Sequence, residues 1–380
     1  MNATTILVPN ILHLVYLNNH TLPYYIFLNI LTMLLHIHPG QILFHCITRP
    51  SENDVLWGKI KNISMHQNIS LKVIVTEEPI KIWGHIPTNL AHKSDVIRMK
   101  SLRQYGGMYF DLDIIIIKSV SNLRQFPMTI AGRGGKMYEN SVLFTVPYGT
   151  FINTWFDSYK NVDFSCWGCH SLVLPMKIAE EFPTSVNVIP GYTFFPIGYS
   201  RMDSEKLFGE PKKHGRNAIA PNIIGENTLA VHLWANNFHI YNFLKTVNST
   251  YLCNSMSLYA NIIRASFRNS TLLSDECYDD DGGGGGRLSS PFFTPYKHTE
   301  PAGSMPRKAP KFYHIASLVA YDDRYPNLWQ CAFALLTILL VCYYCFCRKG
   351  KYSFMYDGNC SSSSSKSSNE SDISISSSSS

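Results

Sequence analysis

The chain has 380 residues, 45% of them hydrophobic and 13% aromatic, and 33 basic against 27 acidic side chains give a formal charge of +6. That composition supplies one sizeable core with room for appendages. A charge this mild, without a basic run or a basic stripe interleaved with aromatics, excludes the usual footprint of a nucleic-acid binder.

In chain order, Ile6–Tyr16 predicts a short strand and Tyr25–Ile37 an apolar helix. Gln41–Ile47 and Leu71–Thr76 predict further strands, being apolar runs rich in β-branched residues. "HKSDVIRMKSLRQYGG" then predicts a helix over 94–105. Ser94 is its expected cap, Asp95 lies in the first turn where the dipole favours an anion, and Gly106 stops it. Asp95, Arg98, Leu102 and Tyr105 share one helical face. For Asp95 and Arg98 two readings stay open: a surface ion pair worth about 0.2–0.5 kcal/mol, or an acid and a guanidinium aimed into a cleft.

Gly106 and Gly107 allow a tight turn into a strand predicted over 108–117, "MYFDLDIIII". Residues two apart on a strand share a face, so Asp111 and Asp113 project together with Leu112 opposite. Such a pair repels itself and resists burial. Either both acids reach water at a strand end, or they hold a hard divalent cation such as Mg²⁺ or Mn²⁺. Alternating strands and helices predict an α/β sheet with ligands at the carboxyl ends of its strands. The acids occupy such an end if the chain bends and Ile114–Ile117 begins a new element.

The last hundred residues differ in kind. The expected division is a catalytic domain over 1–275, a Gly/Pro-rich linker over 276–327, a membrane span over 328–347 and a Ser-rich tail over 348–380. Leu328–Cys347 has no charged residue and the length needed to cross a bilayer. Arg348, Lys349 and Lys351 follow it closely and only Arg324 closely precedes it, which orients the tail to the cytoplasm. Asn-x-Ser/Thr triplets at Asn2, Asn19, Asn62, Asn68, Asn248 and Asn269 suit a secretory-pathway domain. Residues 1–30 carry no signal-peptide pattern, and the expectation is that a preceding start is missing from this sequence. Cys166-x-x-Cys169 lacks the second pair of a structural zinc site and is read as a disulfide or two inert thiols. Cys253 and Cys277 can pair across a loop in an oxidising compartment.

Ser94-Asp95-x-x-Arg98-x3-Leu102-x3-Gly106-Gly107-x-Tyr109-x-Asp111-x-Asp113 resembles the DXD-containing glycosyltransferases of family 32. These include the yeast α-1,6-mannosyltransferases and the animal α-1,4-galactosyl- and α-1,4-N-acetylglucosaminyltransferases. "VPNILHLVYL" from Val8 looks like the family's opening strand, "ENSVLFTVPYGTFINTWFDSYK" like the segment after the motif, and "LAVHLWA" like its late His-Leu-Trp strand. The likeness covers residues 6–245 and departs at Asp163–His170, so no acceptor-site residue is carried over there.

The resemblance implies a GT-A-type, Rossmann-like nucleotide-sugar-binding domain, and a retaining transfer that needs no dedicated general base. It implies a nucleotide-sugar donor, a UDP-sugar first, and a glycan or glycolipid acceptor reached in the Golgi lumen. Asp111 and Asp113 become the catalytic carboxylates and the ligands of Mn²⁺ or Mg²⁺. Asp95, Arg98, Tyr109 and Asn140 become donor contacts. His232 is either a third metal or phosphate contact or a satisfied core histidine. Two other classes stay open: a haloacid-dehalogenase-like phosphatase, and an inactive surface protein on a transferase scaffold.

Overall fold

The computed structural model describes residues 6–18, 21–87, 89–134, 137–211, 223–268 and 270–273, all within the unit Met1–Lys297. Its first half alternates strand and helix: β1 (Ile11–Tyr16), α1 (Tyr24–Ile37), β2 (Gln41–Cys46), α2 (Val55–His66), β3 (Ser70–Val75), α3 (Leu90–Tyr105) and β4 (Gly107–Phe110). β5 (Ile114–Ile116), β6 (Met128–Gly134), β7 (Met137–Thr145), α4 (Thr150–Ser158), β8 (Asn187–Ile189) and β9 (Ala230–His232) follow. Seven strands form one sheet in the order β3-β2-β1-β4-β7-β6-β8. β3, β2, β1 and β4 run parallel, whereas β7 is antiparallel to both β4 and β6. β5 and β9 pair antiparallel in a separate two-stranded ladder. The fold is thus mixed α/β with a parallel-rich central sheet.

Pleating divides the core. Leu12, Leu14, Tyr16, Met108 and Phe110 join the cluster built around α1, while Val15, Tyr109 and Leu143 join the one built on α3 and α4. α1 has residues 25–34 buried without a break, among them Asn29 and Thr32. A helix enclosed on all sides has no polar face to show, which is why its sequence reads as an apolar run.

Two sequence expectations need correction. The first strand starts at Ile11 rather than Ile6. α3 starts at Leu90 rather than Ser94, because the Asn89 side chain accepts the His92 N–H at 2.9 Å and caps the helix one turn earlier. Asp95 therefore lies beyond the first turn, where the dipole gives it little. The strand expected over 108–117 is broken at Asp111–Asp113 into β4 and β5, as the anticipated bend requires. α2, capped by Asp54 accepting from Leu56 and Trp57, has no counterpart in the sequence reading. Cys166 and Cys169 form a disulfide, which leaves no zinc half-site. Cys253 is disulfide-bonded, and Cys277 lies outside the described residues. So does Leu328–Cys347; among the described residues, no helix is long and apolar enough to cross a membrane.

A buried chain of imidazoles ties β1, β2 and α3 together. His13 Nε2 lies 2.8 Å from the Gly106 carbonyl, which can only accept, so Nε2 carries the proton. His13 Nδ1 then accepts from His45 Nε2 at 3.1 Å, and the Ser101 hydroxyl lies 3.5 Å from His45 Nδ1. Burial lowers His13 to about 4; burial and then His13 lower His45 to about 3. Below pH 6.5 the unfolded chain binds protons that these folded imidazoles refuse, so stability falls with pH until the folded values are reached. Between pH 6.5 and 4 each of the two should cost about 1.4 kcal/mol per pH unit. Urea-unfolding free energies measured across this window should fall more steeply for the native chain than for a His45→Asn variant. Equal slopes would refute the neutral pair.

Candidate active site

The site begins with a turn only glycine permits. Gly107 has φ +103°, and a Cβ there would lie 2.5 Å from the Ile11 carbonyl oxygen. Helix α3 therefore passes straight into β4, and β4 delivers the two acids where it leaves the sheet. The Asp111 N–H donates to the Ser141 carbonyl at 2.8 Å, Asn29 Nδ2 of α1 donates to the Leu112 carbonyl at 2.9 Å, and the Leu233 N–H donates to the Asp113 carbonyl at 2.8 Å. Three separate elements grip the Asp-Leu-Asp backbone. The acids converge because the chain turns here, rather than because they alternate along a strand.

Arg98 organises the first acid. The residue is 4% exposed, and Nη2 lies 3.2 Å from Asp111 Oδ1 and 3.4 Å from Asp95 Oδ1. Nη1 donates to the Asn140 carbonyl at 2.8 Å, Nη2 to the Ser94 hydroxyl at 3.1 Å, and the Tyr109 ring lies under the cation at 4.4 Å. The Tyr109 hydroxyl donates a short bond to Asp111 Oδ1, and Asn140 Nδ2 donates to Asp95 Oδ1 at 2.7 Å. The ion pair of Asp95 and Arg98 is thus internal, not a surface pair. Asn140 and Tyr109 both reach the site, where they hold Asp95 and Asp111. Burial raises Asp111 to about 6 even though Arg98 opposes it, and the charge of Asp113 adds to the rise. Burial also raises Asp95, against Arg98 and Asn140.

Asp113 belongs to the other side. Its Oδ1 lies 3.1 Å from His232 Nε2 and its Oδ2 accepts the Ala235 N–H at 2.7 Å. Burial works to raise Asp113, but His232 and that N–H outweigh it and hold the carboxyl below its usual range. Burial works to lower His232, and Asp113 outweighs it and raises the imidazole. Register places His232 opposite Ile114, so the β5–β9 ladder carries the histidine to the motif.

Asp111, Asp113 and His232 each offer one ligand atom within 4.8 Å of the others. Two carboxylate oxygens and an imidazole nitrogen suit Mn²⁺ or Mg²⁺. Among the described residues, Arg98 pairs with Asp95 and Asp111, Arg133 with Glu139, and His232 with Asp113. His232 Nδ1 is sealed from solvent without a hydrogen-bond partner. The residues present fit a divalent cation.

Sequence reasoning missed Asn29, Arg133 and Glu139. Asn29 had a legible signal, being an amide inside an otherwise apolar helix. Arg133 and Glu139 had none, because they meet through irregular pairing of β6 with β7. Residue 130 pairs with 143 and residue 131 with 139, so β7 bulges at 140–142 beside the site. Arg133 Nη1 reaches Glu139 Oε1 at 2.7 Å.

Residues 36–129 match the glycosyltransferase sugar-binding region containing the DXD motif. The chain is 30% identical over 207 residues to glucan organizing enzyme 1 of Cryptococcus neoformans var. grubii, covering 50% of this chain and 54% of that protein. An uncharacterized Arabidopsis thaliana protein is 24% identical over 164 residues, 40% of this chain and 25% of its own length. The chain thus spans about half of the first relative and a quarter of the second. Among solved structures, the glycosyltransferase GlyE of Streptococcus pneumoniae aligns over 73% of this chain and 66% of its own, at 13% identity and a TM-score of 0.37.

Removing Arg98 should expose what it compensates. Arg98→Met strands two buried carboxylates and should cost about 3–5 kcal/mol of stability. Arg98→Lys keeps the charge but loses the planar fork and should cost less. Denaturant unfolding checks both, and native stability of Arg98→Met would refute the bridging role.

Proposed function

We propose that the chain is a metal-dependent, retaining glycosyltransferase with a GT-A-type domain. It moves a hexose or N-acetylhexosamine from a nucleotide sugar, a UDP-sugar first, to a glycan or glycolipid. The observation that carries this reading is the convergence of Asp111, Asp113 and His232 at the carboxyl end of β4, beside the buried Asp95–Arg98 pair. Ligands of α/β sheets bind at such strand ends. The resemblance of "LAVHLWA" to the family's late strand adds His232 independently.

Asp111, Asp113 and His232 would hold Mn²⁺ or Mg²⁺. When bound, such an ion stabilises the negative charge on a departing diphosphate. The chain's own residues then divide the remaining work. Arg98 and Tyr109 fix the Asp111 carboxylate in one orientation. Asp95, held by Asn140 and Arg98, presents a buried acceptor to sugar hydroxyls. The cation beside Asp111 is this arginine, whereas a phosphatase of the alternative class calls for a lysine. Retention assigns no general base, and none is named. The name of the fungal relative makes a glucan oligosaccharide the first acceptor to try.

Asp113→Asn keeps the shape and removes a charge. Turnover of a UDP-sugar panel with Mn²⁺ should fall at least about a hundredfold, roughly 2.7 kcal/mol in transition-state terms, while the fold persists. Excess chelator should do the same to the native chain. Full activity in either case would reject the metal assignment.

The reading also places the catalytic domain in the Golgi lumen, anchored through Leu328–Cys347. Asn62, Asn68 and Asn248 are all exposed, although Asn248 also caps the helix Ser249–Asn254 by accepting the Tyr251 N–H. Endoglycosidase treatment of the natural protein should shift its mobility. Absence of a shift, with the catalytic part digested from outside sealed microsomes, would reject this placement.

A further inference from the structure

The site continues into an aromatic arc that the donor chemistry leaves unused. The His232 ring lies 4.1 Å from that of Trp234, and Trp234 lies 5.6 Å from Tyr199 in an edge-on contact. The Arg133 guanidinium sits over both, 4.8 Å from the Trp234 ring and 4.9 Å from the Tyr199 ring. Trp234 and His232 are almost enclosed, but Tyr199 at the end of the arc is 54% exposed.

This tyrosine is held rather than dangling. Asn237 Nδ2 donates to its carbonyl at 3.4 Å, and Ser200 caps the helix Arg201–Phe208 that follows. Trp234 Nε1 donates to the Ile197 carbonyl at 2.8 Å. At the other end of the segment, a Cβ on Gly191 would lie 2.1 Å from the Gly132 carbonyl oxygen, so the chain is seated directly on β6. Arg133 emerges from the β6 irregularity between Gly132 and Gly134, which aims it at the rings. Its partner Glu139 is 4% exposed, and Glu139 Oε1 is sealed from solvent without a hydrogen bond, in ionic contact only.

A held, exposed aromatic ring beside a half-buried ion pair matches the two-sided chemistry of a pyranose. The C–H face of a sugar packs on an aromatic ring, and its hydroxyl rim seeks charged donors and acceptors. We propose that Tyr199, backed by Trp234 and Arg133, is the stacking platform for a sugar ring of the acceptor. Arg133, partly exposed and held by Glu139, supplies the polar rim. This rests on the glycosyltransferase reading and deepens it: the acceptor is a saccharide, engaged two ring contacts from His232.

The test is direct binding by the full chain, with laminaritriose, mannotriose and lactose as probes, read by saturation-transfer NMR and calorimetry. At least one should bind the native chain. Tyr199→Ala should weaken it at least about tenfold, or 1.4 kcal/mol, while Tyr199→Phe, which keeps the ring, should stay within about threefold, or 0.65 kcal/mol. Tyr199 is exposed, so thermal melting should show both variants folded. Binding of none of the three probes, or unchanged affinity in Tyr199→Ala, overturns the platform. UDP-sugar hydrolysis by the same native protein reports on the enzymatic reading separately. Binding without hydrolysis would sink that reading and keep the subsite; hydrolysis without binding would do the reverse.

Discussion

A single guanidinium holds the charge pattern of this molecule together. Arg98 is buried between Asp95 and Asp111, with Tyr109 beneath it and the Asn140 carbonyl and Ser94 hydroxyl accepting its hydrogen bonds. Buried ion pairs do little for net stability unless their remaining lone pairs and protons are satisfied. Here nearly all are, and only Arg98 Nε lacks a partner. The cluster is therefore better understood as fixing positions than as adding stability. Asp111 is thus oriented before any ligand arrives.

The backbone does the complementary task. Amides of Asn29 and of Leu233, and the carbonyl of Ser141, hold the Asp-Leu-Asp turn from three elements. Thr32, one turn along α1, accepts the Ile116 N–H and so extends the same grip into β5. Electrostatic catalysis gains most from groups that need not reorganise, because their dipoles are already aligned. The polar residues inside an apolar helix thus act on the site through the main chain.

Much of this was legible in the sequence where local chemistry decides structure. The order of β1, α1, β2, β3, α3 and β4 follows from apolar runs and the Gly106–Gly107 stop, and the bend after Asp113 follows from carboxylates that cannot continue into a core. The spacing of Asp95, Arg98, Asp111 and Asp113 named four residues that the fold brings together, and "LAVHLWA" named His232 beside them. What the sequence hid depends on tertiary contact. Asn89 displaced Ser94 as the helix cap because both are good capping residues and local signals do not rank them. Asp95 and Arg98 could be read as a surface pair because helical spacing says nothing of burial. Glu139 and Arg133 meet across irregular strand pairing, and no periodicity announces a bulge.

The two-stranded ladder has a consequence for how the molecule is made. β5 leaves the main sheet and finds its only paired strand among the described residues in β9, so Ile114–Ile116 waits for Ala230–His232. Asp113 likewise completes its hydrogen bonds with residues 232–235, well over a hundred positions later. A ribosome-bound chain that has released the whole first half, including the acidic motif, still lacks a finished centre. Closure across so long a loop is entropically slow and comes late. The candidate site is thus completed in one step near the end of folding, after the sheet that supports it is already in place.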